Sequence, residues 1–88
     1  MKSELLIHFG ERIRELRKER NWSQETLAEG TGFHRTYIGM IERGERNISL
    51  TNMAVFAKVF EMTISELLDF SSINPKHSYK NYEIKIEE

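Results

Sequence analysis

The sequence predicts an all-α fold, a compact bundle of five helices, and two features of the chain carry this prediction. Apolar residues recur at intervals of three and four, the spacing that gathers side chains on one face of a helix. Helix-capping residues precede these stretches, and glycines follow two of them. The caps are Ser3, Ser23, Ser49 and Thr63, and the glycines are Gly32 and Gly44. The 88 residues are enough for one domain, which we place at 1–70, with a tail at 71–88.

The first predicted helix, residues 4–20, combines an apolar stripe with many charges. Its core stripe is formed by Leu5, Phe9, Ile13 and Leu16. Its basic residues alternate with glutamates, so most of them are expected to lie on a solvated face and to pair along the helix. Trp22, just before the next cap, is expected to pack against the core rather than to stack on a ligand.

The next two predicted helices are joined by a tight turn. Leu27 and Ala28 point inward from the first, which Gly32 ends because glycine adopts the left-handed conformation without strain. The second covers residues 34–43. Its apolar side is formed by Phe33, Ile38 and Ile41, and its other side carries Arg35, Thr36, Tyr37, Gly39, Met40 and Arg43. Arginine and threonine at a helix start suit base edges in a DNA major groove. A surface helix with merely solvated polar residues is the alternative.

The fourth and fifth predicted helices are more apolar. The fourth covers residues 50–61 and the fifth begins at a T-x-x-E capping box, Thr63 to Glu66, and ends at Phe70. Inward positions are Leu50, Met53, Ala54, Ala57 and Phe60 in the fourth, and Ile64, Leu67 and Leu68 in the fifth. A helix that is apolar on a second side must bury it, and a second copy of the chain is the expected cover. The predicted dimer interface comprises Val55, Phe56, Val59, Met62 and Phe70.

The tail differs in pattern from the rest of the chain. After Pro75, residues 82–87 alternate strictly between apolar and charged side chains, which is typical of a β-strand. A single strand is not stable alone, so it would pair with its copy across a dimer axis. A frayed tail is an equally open interpretation.

Composition excludes several classes of function. The chain lacks cysteine, which rules out disulfides, thiolate zinc sites and a cysteine nucleophile. His8, His34 and His77 lack metal-site spacing, and phosphate-binding glycine motifs and a catalytic triad are absent. We therefore expect neither a metal nor a cofactor, and no enzyme. With neither an apolar run long enough to span a membrane nor a signal-peptide core, a soluble, cytoplasmic protein is expected.

The charge distribution is uneven although the net charge is only -1. A pI near 6.3 does not by itself favour nucleic acid. Basic charge is concentrated in residues 1–20 and acidic charge in residues 48–70. This pattern predicts a polarised molecule with one DNA-facing side, against the alternative of a random surface distribution.

Residues 23–44 carry the pattern S-Q-E-x-L-A-x-x-x-G-F-x-R-x-Y-I-x-x-I-E-R-G, which resembles the helix-turn-helix of phage-repressor (Cro/C1, or XRE-type) transcription factors. The stretch RTYI followed by IERGERNISL is most similar to the small controller proteins of restriction-modification systems. The resemblance covers residues 5–70 and implies a lambda-repressor-like domain whose helix-turn-helix is residues 23–43. The chain departs from the family at His34, where serine or threonine is usual, which implies a weaker cap. It also has Gly30 and Gly39 within helices.

The resemblance implies a sequence-specific, homodimeric regulator of transcription that binds double-stranded DNA. Its recognition helices would enter successive major grooves about 34 Å apart on a palindromic operator. Base contacts are expected from Arg35, Thr36, Gly39 and Met40. Phosphate contacts are expected from Ser23, Gln24, Tyr37, Arg43, Arg46 and Asn47, with the amides at the start of the second helix. The resemblance also implies a partly buried ion pair between Arg17 and Glu42, which would tie the first helix to the recognition helix.

Several alternatives remain at the level of the sequence. Within DNA binding, the protein could be a restriction-modification controller, a phage-type repressor or the antitoxin of a toxin pair. In a different class, it could be a helical adaptor that holds a partner protein with the fourth helix and the tail. Arg35, Thr36 and Tyr37 together argue against the adaptor. His34 would either meet a phosphate or lie exposed without a special role.

Overall fold

The computed structural model describes residues 3–73, which form five helices. The helices are α1 (Glu4–Glu19), α2 (Gln24–Thr31), α3 (Arg35–Glu42), α4 (Leu50–Val59) and α5 (Ile64–Leu67). The predicted all-α class and the number of helices are confirmed for this part of the chain. The strand predicted at 82–87 lies outside the described residues. Among those described, none of the helices has both the length and the apolar character that crossing a bilayer requires.

The helix ends follow the local capping chemistry. The hydroxyls of Ser3, Ser23, Ser49 and Thr63 each accept a hydrogen bond from the main-chain N–H three residues later. At α5 the capping box is complete, because the Glu66 carboxylate accepts from the N–H of Thr63 at 2.8 Å. These hydrogen bonds from Thr63 hold the pKa of Glu66 below its ordinary value. Gly32 and Gly44 have φ of 79° and 72°, the left-handed conformation expected at a helix end.

The hydrophobic core lies between the helices and draws on all five. It consists of Phe9, Ile13, Leu16, Leu27, Ile38, Ile41, Phe56, Ala57, Phe60 and Leu67. Trp22 packs against it as predicted, with its ring stacked on Phe60 at a centroid distance of 5.8 Å.

Four apolar residues predicted to face the core are exposed. Leu5, Leu50 and Leu68 are 41%, 67% and 40% exposed, and Ala54 is also exposed. Leu5 and Leu50 lie in the first turns of α1 and α4, and Leu68 lies just beyond the end of α5. A helix end can extend beyond the body against which the helix packs, and the first buried residue of α1 is His8. Periodicity alone does not show where along a helix the packing begins.

The assignment of Phe56 to a dimer interface is wrong. Its side chain is fully buried, and its ring lies 5.3 Å from that of Phe33 and 6.4 Å from that of Phe9. The reason is that Phe9 of α1 and Phe33 of the turn between α2 and α3 cover this side of α4, so more of its circumference is buried within its own chain than the apolar pattern indicates. Other members of the predicted interface are half-buried: Val55, Val59, Met62 and Phe70.

Arg12 of α1 and Arg20, the residue that caps the C-terminus of α1, bind the ends of distant helices instead of lying on a solvated face. Arg12 donates to the main-chain oxygens of Glu66 and Leu67 at 2.8 and 3.2 Å. Arg20 donates to the oxygen of Phe60 at 2.9 Å, with its guanidinium 4.9 Å from the centre of that ring. Both donate to carbonyls at the ends of α5 and α4, where the helix itself supplies fewer hydrogen bonds. These two charges are therefore engaged in contacts within the protein.

The crossing of α1 and α3 depends on a glycine. A Cβ atom added at Gly10 would lie 2.4 Å from the main-chain oxygen of Ile41 and 2.6 Å from that of Glu42. Main-chain atoms cannot move aside singly, so a larger residue at Gly10 would force the helices apart. This close approach sets the position of α3.

Candidate nucleic-acid interface

The recognition helix α3 begins one residue later than predicted, because His34 is its cap. The imidazole Nδ1 of His34 accepts a hydrogen bond from the N–H of Thr36 at 3.1 Å. The sequence implied a weak cap at this position, because the usual serine or threonine is absent. In the structure the ring nitrogen of His34 takes the place of the usual hydroxyl. One of the amides expected to hold a phosphate is therefore already occupied by His34 in the free protein. The helix ends at Glu42, with Arg43 as its C-terminal cap.

Arg35 and Thr36 face outward at the start of α3. Both are exposed, whereas Ile38 and Ile41 on the opposite side of the same helix are buried in the core. The Arg35 side chain is 63% exposed, and its Nε lies 3.8 Å from a carboxylate oxygen of Glu25 on α2. An exposed pair at this distance constrains the side chain weakly. The guanidinium is thus available to an external partner.

A cleft of about 260 Å³ lies between the start of α2 and the outer face of α3. It is lined by Gln24, Arg35, Thr36, Gly39 and Arg43, all of which the sequence assigned to DNA contacts. Within it, Gly39 is buried, and a Cβ added there would lie 3.0 Å from Nη1 of Arg43. The Arg43 side chain therefore lies over Gly39, and the predicted base contact at Gly39 stays a prediction.

Arg43 is held over Gly39 by an acidic neighbour. Its Nε donates to a carboxylate oxygen of Glu45 at 3.1 Å. This hydrogen bond and the negative charge of Glu45 raise the pKa of the Arg43 guanidinium. Arg43 remains more than half exposed, so the pair lies at the surface.

Two polar residues at the start of α2 are already engaged in hydrogen bonds. The Ser23 hydroxyl caps α2 and also lies 3.0 Å from the hydroxyl of Thr26. The side-chain amide of Gln24 donates to Oε1 of Glu42 at 3.2 Å, across the gap between α2 and α3. Ser23 is therefore engaged within α2, and Gln24 joins α2 to α3.

Tyr37 of α3 is contacted by three other side chains. Its ring packs edge-on against Phe33 at a centroid distance of 5.1 Å, and the Arg46 guanidinium lies 5.4 Å from the ring centre. Its hydroxyl accepts a hydrogen bond from the side-chain amide of Asn52 at 3.0 Å. Arg46 and Asn47 are exposed in the loop after α3, and Met40 is half-buried. The loop and α4 thus meet the recognition helix at Tyr37.

The ion pair between Arg17 and Glu42 is present and joins α1 to α3 from behind. Nε and Nη2 of Arg17 donate to the two carboxylate oxygens of Glu42 at 2.7 and 3.0 Å. The third nitrogen, Nη1, donates to the main-chain oxygen of Trp22 at 2.8 Å. The side chains are only 11% and 3% exposed. The hydrogen bond to Glu42 raises the pKa of Arg17 despite the opposing effect of burial.

A sequence model of the helix-turn-helix family matches residues 13–67, which is more than half of the chain. The chain belongs to the helix-turn-helix family of Cro/C1 type. This helix-turn-helix protein is 42% identical over 74 residues to the control protein C.BamHI of Bacillus amyloliquefaciens. The alignment covers 83% of this chain and 91% of that protein.

Solved structures of restriction-modification controller proteins share the fold. The helix-turn-helix protein is 47% identical to C.AhdI of Aeromonas hydrophila, with a TM-score of 0.68 over 70% of this chain and 94% of that one. It is 33% identical to C.Esp1396I, with a TM-score of 0.69 over 76% of this chain and 92% of that one. In that structure C.Esp1396I is a tetramer in complex with its natural 35 base-pair operator.

Two residues of this surface were missed by sequence reasoning. Asn52 reaches Tyr37 from the first turn of α4, and Glu45 holds Arg43. The role of Glu45 could have been predicted from the sequence, because an acid two residues after Arg43 can pair with that arginine and compete with a phosphate for it. Asn52 lies 15 positions from Tyr37, and its role follows only from the way α4 meets α3. Among residues 3–73 we find no group of three or more His, Cys, Asp or Glu side chains that could hold a metal ion.

Proposed function

We propose that this protein is a sequence-specific DNA-binding regulator of transcription, which acts as a homodimer on a palindromic operator as a restriction-modification controller. The observation that carries the proposal is the exposure of Arg35 and Thr36 at the start of a helix whose opposite side is buried. The similarity to the control protein C.BamHI and to the operator-bound C.Esp1396I supports both the DNA partner and the controller role.

The base-reading residues would act from the outer face of α3 in the major groove. The Arg35 guanidinium suits the O6 and N7 acceptors of guanine, and the Thr36 hydroxyl and methyl suit several bases. Met40 would pack on a thymine methyl. When Arg43 turns from Glu45 toward a phosphate, it would uncover Gly39, whose lack of a side chain allows the helix to approach the base edges closely.

Phosphate contacts would come from the rim of the cleft and would set the register of the helix on the duplex. Arg43 lines the cleft, and Arg46 and Asn47 follow in the loop after α3; all three are exposed, whereas Tyr37 is half-buried. Ser23 and Gln24 would take part only by sharing or exchanging their present hydrogen bonds.

The homodimer would place two copies of α3 in successive major grooves, about 34 Å apart. We propose that Val55, Val59, Met62 and Phe70 contribute to its interface, since they are apolar and half-buried in the single chain. Two exposed apolar residues lie in the same part of the chain: Leu50 is the first residue of α4, and Leu68 directly follows α5. In this proposal the protein works on DNA in the cytoplasm and catalyses no reaction.

The test begins with selection of bound sites from random DNA, followed by titration of the selected site at several salt concentrations. Arg35→Ala is expected to cost about 1 to 3 kcal/mol and to relax the preference at one base pair. Arg46→Ala is expected to weaken binding to all sequences alike and to lower the salt slope by about one. Arg14→Ala, at an exposed arginine of α1, is the matched control and should leave base preference unchanged.

Two results would count against the proposal. If selection enriches no sequence for the wild-type protein, DNA reading fails, and the adaptor alternative takes its place. If Arg35→Ala keeps the full base preference of the wild type, Arg35 is not a reading residue.

A further inference from the structure

We propose that Asn52 is a positioning residue that makes the Tyr37 hydroxyl a committed hydrogen-bond donor to a DNA phosphate. The inference rests on the proposed function, which supplies the DNA, and deepens it by assigning a role to a residue of α4. The observation behind it is the hydrogen bond from the Asn52 side-chain amide to the Tyr37 hydroxyl oxygen, at 3.0 Å.

The main chain of Asn52 is held in place by a hydrogen bond of its own. Its main-chain N–H donates to the capping hydroxyl of Ser49 at 3.1 Å, which fixes the first turn of α4. From that turn the side-chain amide reaches α3, and both Asn52 and Tyr37 are half-buried. The hydrogen bond therefore joins two elements that are each anchored separately.

The direction of this hydrogen bond decides what the phenol can do next. A tyrosine hydroxyl has one hydrogen to donate and lone pairs with which to accept. Since Asn52 donates to the oxygen, the single phenolic hydrogen must go to a different, accepting group. Phosphate oxygens carry no hydrogen at neutral pH and act only as acceptors, so a phosphate is a matched partner for a hydroxyl held in this state.

The rest of the Tyr37 environment supports the same role. Phe33 packs against the ring in an edge-to-face arrangement, and the Arg46 guanidinium lies 5.4 Å from the ring centre. Tyr37 and Arg46 would then meet neighbouring parts of the DNA backbone together.

A double-mutant cycle on the selected operator tests the inference. Dissociation constants are measured by fluorescence anisotropy for the wild type, Asn52→Ala, Tyr37→Phe and the double variant. Asn52→Ala alone is expected to weaken binding about three- to tenfold, the value of one hydrogen bond. In the Tyr37→Phe background the same change is expected to alter binding by less than about 1.5-fold, because it has no hydroxyl to orient.

The salt dependence separates this role from a charge effect. Neither side chain neutralises a phosphate, so Asn52→Ala should lower affinity without changing the salt slope, unlike Arg46→Ala. Thr51→Ala, at an exposed neighbour on α4, is the control and should bind as the wild type does. Circular dichroism melting of each variant checks that the fold is intact.

The outcomes are distinguishable from failure of the proposed function. If the wild type binds the selected DNA and Asn52→Ala has the same effect with and without the Tyr37 hydroxyl, Asn52 contacts DNA by itself and the inference is overturned. It is equally overturned if Asn52→Ala binds as tightly as the wild type. If the wild type binds no DNA, the proposed function fails, and the inference falls with it.

Discussion

Removing the charge of Glu42 tests the ion pair with Arg17 that joins α1 to α3. In Glu42→Gln, one side-chain oxygen remains to accept from Arg17, but an NH₂ group takes the place of the other oxygen and faces a guanidinium that can only donate. The Gln24 amide and Arg17 then compete for the remaining oxygen. Arg17 is left with an uncompensated positive charge in a site that is almost closed to water.

The expected cost is large for a chain of this size. Breaking one half of a buried ion pair costs about 3 to 5 kcal/mol, and we expect about 3 kcal/mol because glutamine keeps part of the hydrogen bonding. For a domain of this length, 1 kcal/mol corresponds to about 4 to 8 °C in Tm. The melting temperature of Glu42→Gln should therefore fall by at least about 12 °C.

Thermal unfolding followed by circular dichroism measures this shift. Glu29→Gln makes the same chemical change at an exposed position of α2 and is the control, with an expected effect within about 0.5 kcal/mol. Replacing both partners, Arg17→Met with Glu42→Leu, should recover much of the loss, because it leaves no buried charge unpaired. A fall in Tm for Glu42→Gln no larger than that of Glu29→Gln would refute this account.

Two further predictions concern surface carboxylates. Glu45→Gln should release Arg43 to phosphates and tighten binding to all DNA sequences by less than about fivefold, since exposed pairs are weak; DNA titration checks this, and weaker binding would contradict it. The capping-box carboxylate of Glu66 has a lowered pKa in the folded state, so it stabilises the fold above its ordinary pKa, and this contribution is lost as the pH falls through the lowered value. Glu66→Gln keeps an accepting oxygen, so melting curves from neutral to acid pH should show a smaller acid loss than the wild type; an equal loss would exclude Glu66 as a contributor.

Part of the candidate site could be predicted from the sequence. Arg35 and Thr36 could be assigned to an outer face because Ile38 and Ile41 define the inner one, and a helix of known period leaves little choice. The hydrogen bonds that the site residues make within the protein could not be predicted from the sequence. That Gln24 binds Glu42, and that His34 caps α3, depends on side-chain geometry that periodicity does not describe.

The sequence by itself determined where α1, α2, α4 and α5 begin and where α2 ends. A capping hydroxyl acts on an amide three residues away and a terminal glycine acts on its own helix, so both signals are complete within a short stretch of chain. The same holds for the pattern that places the chain in its family.

Only the tertiary structure decided which apolar face of α4 is internal and which charges are structural. Phe56 and Val59 are both apolar, and spacing does not show that Phe56 packs among other core rings whereas Val59 stays half-buried. Arg20 and Asn52 find partners 40 and 15 residues away. The physical reason is that such contacts depend on how helices cross, and these crossings are set by close approaches between distant segments.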